Sequence, residues 1–367
     1  MKILVSSVIG EPRNPRTWSN APAHLIAELE QLGVIVATID NCQKVGRLAK
    51  LGLMGVSMLS GHNRHNYARN ALLLRRRQEA AAAAFHRSGA DLLLCTGSMD
   101  APVGQGVPYA LWIDDTWHLL HANPHAPRCS ESSFQKIDRL ERAAFQDAKC
   151  LLAFSEHVAA DAIGHYGVQA QRVHVVGCGS GSISPLEEDK TYADGYLLFV
   201  AKHLFHLKGG AVTLAAFEKV RAARPQTRLV VVGTDETARR LAGRDGIDAR
   251  GFVERTELNN LFHGAAMLVQ PMLIDPWGQV YLEAMKAKAL VVSWNNAAIP
   301  ELTDNGRLGG IVATATPDLI AAKVLELYNR QNDELAAIAR EAQRRVLDRF
   351  AWPAVGRRVH DAILKAL

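Results

Sequence analysis

Short apolar runs of strand length recur along the chain, separated by longer stretches in which apolar residues return every three or four positions. That alternation predicts parallel sheets with crossover helices. Runs at 2–7, 34–39, 91–95, 108–113, 150–154 and 173–176 form one set, and runs at 196–201, 228–232, 267–270, 290–293 and about 310–313 a second. Helical periodicity is clearest at 211–224. Between the sets, Gly177, Gly179 and Gly181 read as a hinge, and the polar stretch that follows, with Pro185, Glu187, Glu188 and Asp189, reads as a linker. The expected fold class is therefore α/β, with two doubly wound, Rossmann-like domains facing a cleft: 1–183, a linker at 184–194, and a second domain from 195 to 342.

Composition narrows the class. A chain of 367 residues exceeds what one core usually organises, and 48% hydrophobic with 22% charged residues excludes a disordered or fibrous protein. The five cysteines show no CxxC pair and no zinc spacing, so free thiols in a reducing compartment are expected. The start, Lys2-Ile3-Leu4-Val5-Ser6-Ser7, is too short for a signal-peptide core, and no uncharged apolar run approaches the roughly 20 residues of a bilayer span. A cytoplasmic protein is expected. Charge is unevenly spread. Residues 41–90 hold nine Lys or Arg and one acid, a net +8, whereas the whole chain is +5, which leaves −3 for the rest. Such a segment wants an anionic partner or water.

In doubly wound sheets, ligands sit outside the carboxyl ends of the strands, so chemistry is sought in the following loops. The most informative stretch runs from Gln270 to Met285: a strand ends near Asp275, Pro276-Trp277-Gly278 turns, and a helix opens that carries Glu283. With Asp275 in the loop and Glu283 about one turn into the helix, both carboxylates can enter one crevice, where the amides of Gly278, Gln279 and Val280 converge. Carboxylates accept from sugar hydroxyls and helix-start amides hold phosphate oxygens. The alternative is a turn aspartate and a salt-bridged helix glutamate. A second stretch, Leu197 to Gly210, runs from a strand into a loop with Lys202 and Lys208 before Gly209-Gly210. Cations there suit a diphosphate, although Lys-Gly-Gly also occurs as ordinary loop chemistry.

These stretches resemble the retaining glycosyltransferases of family 4, which have the GT-B architecture. Asp275 to Glu283 is similar to their two glutamates separated by seven residues, with aspartate in first place. Phe199 to Gly210 is similar to their strand, basic loop and Lys-Gly, and Gly251-Phe252-Val253 to their Gly-Phe-Val. Cys150 to Gly179 is similar to the end of their first domain, and Arg349 to Leu364 to their closing helix, so residues 343–367 are expected to pack back on the first domain. The resemblance implies that Glu283 holds the ribose of a nucleotide, Asp275 the hydroxyls of the transferred sugar, and Lys208, with Lys202, the diphosphate. It implies that Phe252, Val253 and Glu254 border the nucleobase, and that Gly278 to Val280 cap phosphate or sugar.

Departures are also visible. Asp114 stands where many members have a histidine that touches the donor sugar; a helix cap is its alternative reading. The loop from Ile9 to Asn20 lacks a glycine pair but keeps Gly10, expected near the donor or acceptor, with Arg13, Arg16 and His118 as acceptor-side candidates. Ala297-Ala298-Ile299-Pro300-Glu301 replaces Gly-Gly-x-Pro-Glu. The loop histidines, His121 and His125 among them, are read as polar residues because Pro124 and Pro127 oppose a helix.

No metal or cofactor is expected, since lysines and helix amides can offset the diphosphate charge. The reaction expected is metal-independent transfer of a sugar, with retention, from a nucleotide diphosphate sugar to a hydroxyl of a glycan, lipid-linked or small-molecule acceptor, in cell-envelope or other glycan assembly. An epimerase, a phosphorylase or a non-catalytic nucleotide-binding or glycan-binding member are the alternatives. The basic segment 41–90, with leucines and methionines interleaved, is expected to meet an anionic membrane surface peripherally, on the inner leaflet; without stacking aromatics it is not expected to bind nucleic acid.

Overall fold

The computed structural model describes residues 1–42, 52, 55 and 70–367. Half of the basic segment 41–90, with Lys44, Arg47, Lys50, Arg64 and Arg69 in it, therefore lies outside the described residues. Those described form two compact units, Met1–Gly179 with Trp352–Leu367, and Ser180–Ala351.

Each unit is built on a six-stranded sheet paired in parallel throughout, as the apolar runs predict. In the first, β1 (Lys2–Ser7), β2 (Ile35–Asp40), β3 (Leu92–Cys95), β4 (Tyr109–Ile113), β5 (Cys150–Ala153) and β6 (Val173–Val175) lie in the order β2-β1-β3-β4-β5-β6. In the second, β7 (Tyr196–Val200), β8 (Leu229–Val232), β9 (Ile247–Arg250), β10 (Ala265–Val269), β11 (Leu290–Trp294) and β12 (Gly309–Val312) lie in the order β12-β11-β10-β7-β8-β9. Strand β9 is not anticipated by the apolar pattern. It is four residues long, stands at the sheet edge, and Asp248 and Arg250 pair on it, so little of it is buried. The central strands β3, β4, β5 and β10 are buried at every position, because helices cover both faces of a parallel sheet.

Helix starts follow local capping chemistry. Thr116, Ser130, Ser155, Thr234 and Thr316 each accept from an amide in the first turn of the helix they precede. Helix Trp117–Ala122 carries His118 and His121, which sequence reading leaves in a loop; Pro124 and Pro127 end that helix rather than prevent it.

Residues 184–194, expected as a linker, are bonded into the second unit. The Ser184 amide and hydroxyl donate to Asn259 Oδ1 at 2.8 and 2.9 Å, and Lys190 Nζ donates to the carbonyls of Phe262 and Ala265. Tyr192 is buried, and Lys288 Nζ reaches up from its own helix end to the carbonyls of Glu187 and Glu188. The stretch is thus bonded to the unit through Ser184, Lys190 and the backbone at 187–188, while Glu187, Glu188 and Asp189 stay exposed. The glycines read as a hinge have a packing reason as well: a Cβ on Gly179 would lie 2.3 Å from the Trp352 ring, and one on Gly181 1.9 Å from Glu283 Oε1. The expected single closing helix is two. Helix Asn332–Arg349 belongs to the second unit, and helix Trp352–Ala366 packs on helix Ala21–Gln31 in the first. The break falls just before Pro353, which lacks an amide to continue a helix.

Cys42, Cys95, Cys150 and Cys178 are free thiols. Of the nine cations between 41 and 90, Arg77 is buried, so it adds nothing to a charged surface. Among the described residues, no helix is long and apolar enough to cross a membrane.

The loop after β1 contains a local strain. Trp18, Ser19 and Asn20 hold φ of 42°, 54° and 68°, one left-handed turn made without glycine. L-residues in that conformation cost about 1–2 kcal/mol each. Ser19→Gly is expected to release about 0.5–1 kcal/mol and to raise the Tm by roughly 2 °C. A melting curve measures this, and an unchanged or lower Tm would show that the turn carries no strain at that residue.

Candidate functional site

Because each sheet is parallel, all its carboxyl ends lie along one edge, and loops from neighbouring strands meet where the strand order reverses. In the second unit the reversal lies between β7 and β10. Gln270, wholly buried, extends that pairing with its side chain: its Nε2 donates to Val200 O at 2.7 Å, and its Oε1 accepts from Val200 N at 3.0 Å. Tyr281 Oη donates to Gln270 O at 2.6 Å and fixes the returning helix on the same point.

Above this the two loops are tied together. The amides of Leu273 and Ile274 both donate to Leu207 O, at 2.9 and 3.2 Å. Gly209 follows at φ +85°, where a Cβ would stand 2.2 Å from Pro271 O, so no other residue fits without moving the second loop. Lys208 is thereby brought against Asp275, and the two form a part-buried ion pair. Asp275 Oδ1 accepts from the amides of Gly278, at 2.7 Å, and Trp277, at 3.3 Å. The Gly278 amide, expected to meet a phosphate, is thus engaged with Asp275. Gln279 and Val280 open helix Gln279–Lys286 and are part-exposed.

Glu283 lies on that helix, but its carboxylate does not share a partner with Asp275. It accepts from the Ser182 amide and packs against Gly181. The same backbone is held by Lys286 Nζ on Gly181 O, at 3.0 Å, and by Arg255 on Ser182 O, at 3.2 Å. Burial pushes the Glu283 carboxyl up to about 7, with Lys286, the Ser182 amide and Arg255 drawing it the other way. The expectation that both carboxylates enter one crevice is corrected to this extent: one is paired with a lysine, and the other is set against a backbone segment.

The remaining second-unit candidates sit on loops at the same sheet edge. Lys202 is exposed after β7, while Phe252, Val253 and Glu254 follow β9, with Phe252 67% exposed. An apolar ring that exposed, beside the start of helix Arg255–Gly264, is available to a flat ligand. After β11, Ala297 holds φ +47°, the conformation glycine normally supplies, so Ala297-Ala298 keeps the turn of the Gly-Gly pattern at some strain. Gln270, Arg255 and Lys286 were missed by sequence reading. Only Gln270 leaves a signal, as an amide ending an apolar run before proline.

In the first unit, Asp114 is part-buried after β4, and the helix cap is Thr116, not Asp114. Gly10 adopts φ +152°, with the Thr17 hydroxyl 3.0 Å from where its Cβ would be. Arg13 is engaged with Glu30, at 2.6 Å, and donates to Val36 O, so it ties the loop to its own unit. Arg16 is exposed. His118 Nδ1 is 2.6 Å from Asp161 Oδ1, and its ring stacks on His165 at 3.7 Å. Among the described residues no group of three or more His, Cys, Asp and Glu is set to hold a metal ion.

Comparison with known proteins bears on the second unit. Residues 194–330 match the family model described as Glycosyl transferases group 1. The chain therefore resembles this family over the stretch that contains Lys202, Lys208, Asp275 and Glu283. It is 28% identical to a glycogen synthase of Mycobacterium tuberculosis over 179 residues, 46% of this chain and 42% of that protein, so the match spans less than half of the relative's length. It is 25% identical to an alpha-maltose-1-phosphate synthase of Mycolicibacterium smegmatis over 67% of this chain and 70% of that one. Among solved structures, a sucrose-phosphate synthase from Thermosynechococcus elongatus matches at TM-score 0.76 and 17% identity, covering 100% of this chain and 98% of that one. The Anabaena protein HepE, solved with UDP-glucose, matches at 0.67 and 18%, covering both chains fully. The fold is GT-B.

A raised carboxyl makes a stability prediction. Glu283 titrates lower in the unfolded chain, near 4.3, than in the folded one, so its penalty is absent below that pH and grows as pH rises to about 7. Glu283→Gln is expected to stabilise the protein at pH 8, by on the order of 1–2 kcal/mol, and to have no such effect at pH 4.5. Thermal denaturation of both proteins at the two pH values tests this; an equal shift at both would remove the burial argument.

Proposed function

We propose that the protein is a metal-independent, retaining glycosyltransferase of family 4 that moves a sugar from a nucleotide diphosphate sugar to an acceptor hydroxyl. The observation that carries this reading is the Lys208–Asp275 pair at the strand reversal, within the stretch that matches the transferase family. A diphosphate entering there would compete with Asp275 for the ammonium, freeing the carboxylate to accept from sugar hydroxyls. In this reading Lys208 offsets negative charge on the departing diphosphate, with Lys202 assisting from the same loop and the Gln279 and Val280 amides aligned at the helix start. Glu283 accepts from the ribose hydroxyls, and Phe252 borders the base with Val253 and Glu254. A neutral or half-ionised Glu283 could either donate to or accept from a ribose hydroxyl. Arg16, His118 and the Gly10 loop would meet the acceptor.

The HepE structure, solved with UDP-glucose, supports a nucleotide sugar donor. A panel of UDP, GDP, ADP and their sugars should show one base raising the Tm. Free ligand at 100 times Kd adds about 2.7 kcal/mol of stability. Lys208→Ala should weaken the diphosphate by roughly 10–100-fold while leaving the nucleoside monophosphate nearly unaffected, as expected for loss of one charge-assisted contact. No stabilisation by any nucleotide would overturn the reading. Product analysis with and without acceptor separates a transferase from an epimerase.

The reading also retains a peripheral role in envelope glycan assembly for the basic segment. Sedimentation with vesicles of 30% phosphatidylserine should exceed that with neutral vesicles and should fall as salt is raised. Equal, negligible binding to both would remove it.

A further inference from the structure

Two local costs coincide on the carboxyl edge of the first unit's sheet. The left-handed turn Trp18-Ser19-Asn20 is one. The other is the Trp112 indole, which is wholly buried and whose Nε1 finds no hydrogen-bond partner among the described residues. Both meet in one aromatic stack. The Trp18 ring lies 5.3 Å from that of Trp112, edge to face, and 5.4 Å from that of Phe154, stacked at 20°. Trp112 is on β4 and Phe154 directly follows β5, so the loop after β1 reaches across the strand ends to bring an indole there. Aromatic contacts of this kind contribute about 0.5–1.5 kcal/mol each, so the two offset only part of the cost of the three left-handed residues.

An anchoring tryptophan would be expected to disappear into the core. Trp18 stays part-exposed, with one face on Phe154. Strained backbone held in place by its surroundings collects at ligand sites. Around the indole the loop exposes Ile9 and Pro15, but otherwise polar groups: Arg13, Asn14, Arg16 and Ser19. A lipid chain would need a continuous apolar patch. A single ring rimmed by donors and acceptors instead matches a pyranose, which presents an apolar C–H face and a circumference of hydroxyls.

We infer that Trp18 is a stacking platform for a saccharide, which makes the acceptor a sugar rather than a lipid alcohol. The inference rests on the transferase reading for its role, but the binding itself does not. Trp18 is a specificity-determining residue here, and the left-handed turn positions it.

The test uses the full chain. Binding of maltose, maltotriose, mannobiose and lactose is measured by calorimetry and by tryptophan fluorescence, with and without saturating nucleotide from the thermal panel. At least one saccharide should bind and quench the fluorescence. Trp18→Ala should weaken that binding about 10-fold, and Trp18→Phe should recover part of it. The Tm shift given by the nucleotide should stay unchanged in both variants, which reports that the chain is folded. In turnover assays the acceptor KM should rise in Trp18→Ala while the donor KM does not. Three outcomes would overturn the platform: saccharide binding absent from the wild-type chain, affinity unchanged in Trp18→Ala, or Trp18→Phe no better than Trp18→Ala. Nucleotide binding with any of these leaves the transferase reading intact. Saccharide binding without nucleotide binding would do the reverse.

Discussion

A lysine and an aspartate 67 residues apart form the contact around which the second unit's site is arranged. Their meeting follows from the sheet. The chain lays β7, β8 and β9 outward, then returns to place β10 against the other side of β7, so two loops that begin far apart emerge side by side. Gln270 locks the strand ends, Leu207 O takes two amides of the opposite loop, and Gly209 permits the close pass. The pair then satisfies charges that would otherwise stand part-buried and alone.

The helix that follows this loop carries a second, differently treated carboxylate. Asp275 has a cation and two amides, whereas Glu283 has an amide and a glycine-lined wall, and burial raises it toward neutrality. Two carboxylates eight positions apart thus acquire separate properties from environment alone. Asp275 suits hydroxyls near a cationic group, and Glu283 suits a ligand able to displace or share the Ser182 amide. The three bonds that converge on Gly181 and Ser182 mean that changes at Glu283, Lys286 or Arg255 should be coupled rather than additive.

The first unit repeats the topology but not the chemistry. Its strand order reverses between β1 and β3, and beneath that point lie buried polar groups: Asn41 Nδ2 donates to Asp100 and to Arg77 O, and Ser6 Oγ also donates to Asp100. Burial raises the Asp100 carboxyl, the two donors opposing it. The loop above presents a part-exposed indole beside two arginines, Arg13 held by Glu30 and Arg16 exposed.

How much of this was written in the sequence differs by level. Eleven strands, both parallel sheets and the stretch containing Lys208, Asp275 and Glu283 were legible, because buried parallel strands need continuous apolar runs and loops after them need glycine and charge. Strand β9 was not, since a short edge strand half open to water carries no apolar run. Nor was the bonding of 184–194, where lysines and a tyrosine serve as internal ties yet look like solvated linker residues. The sequence determined which residues stand at the strand ends. Which of them face one another, that Asp275 takes up the Gly278 amide, that Arg13 is engaged by Glu30, and that Trp18 stands in a left-handed turn were decided by tertiary contacts alone. Pairings between distant segments depend on strand order and loop packing, and neither is encoded in local periodicity.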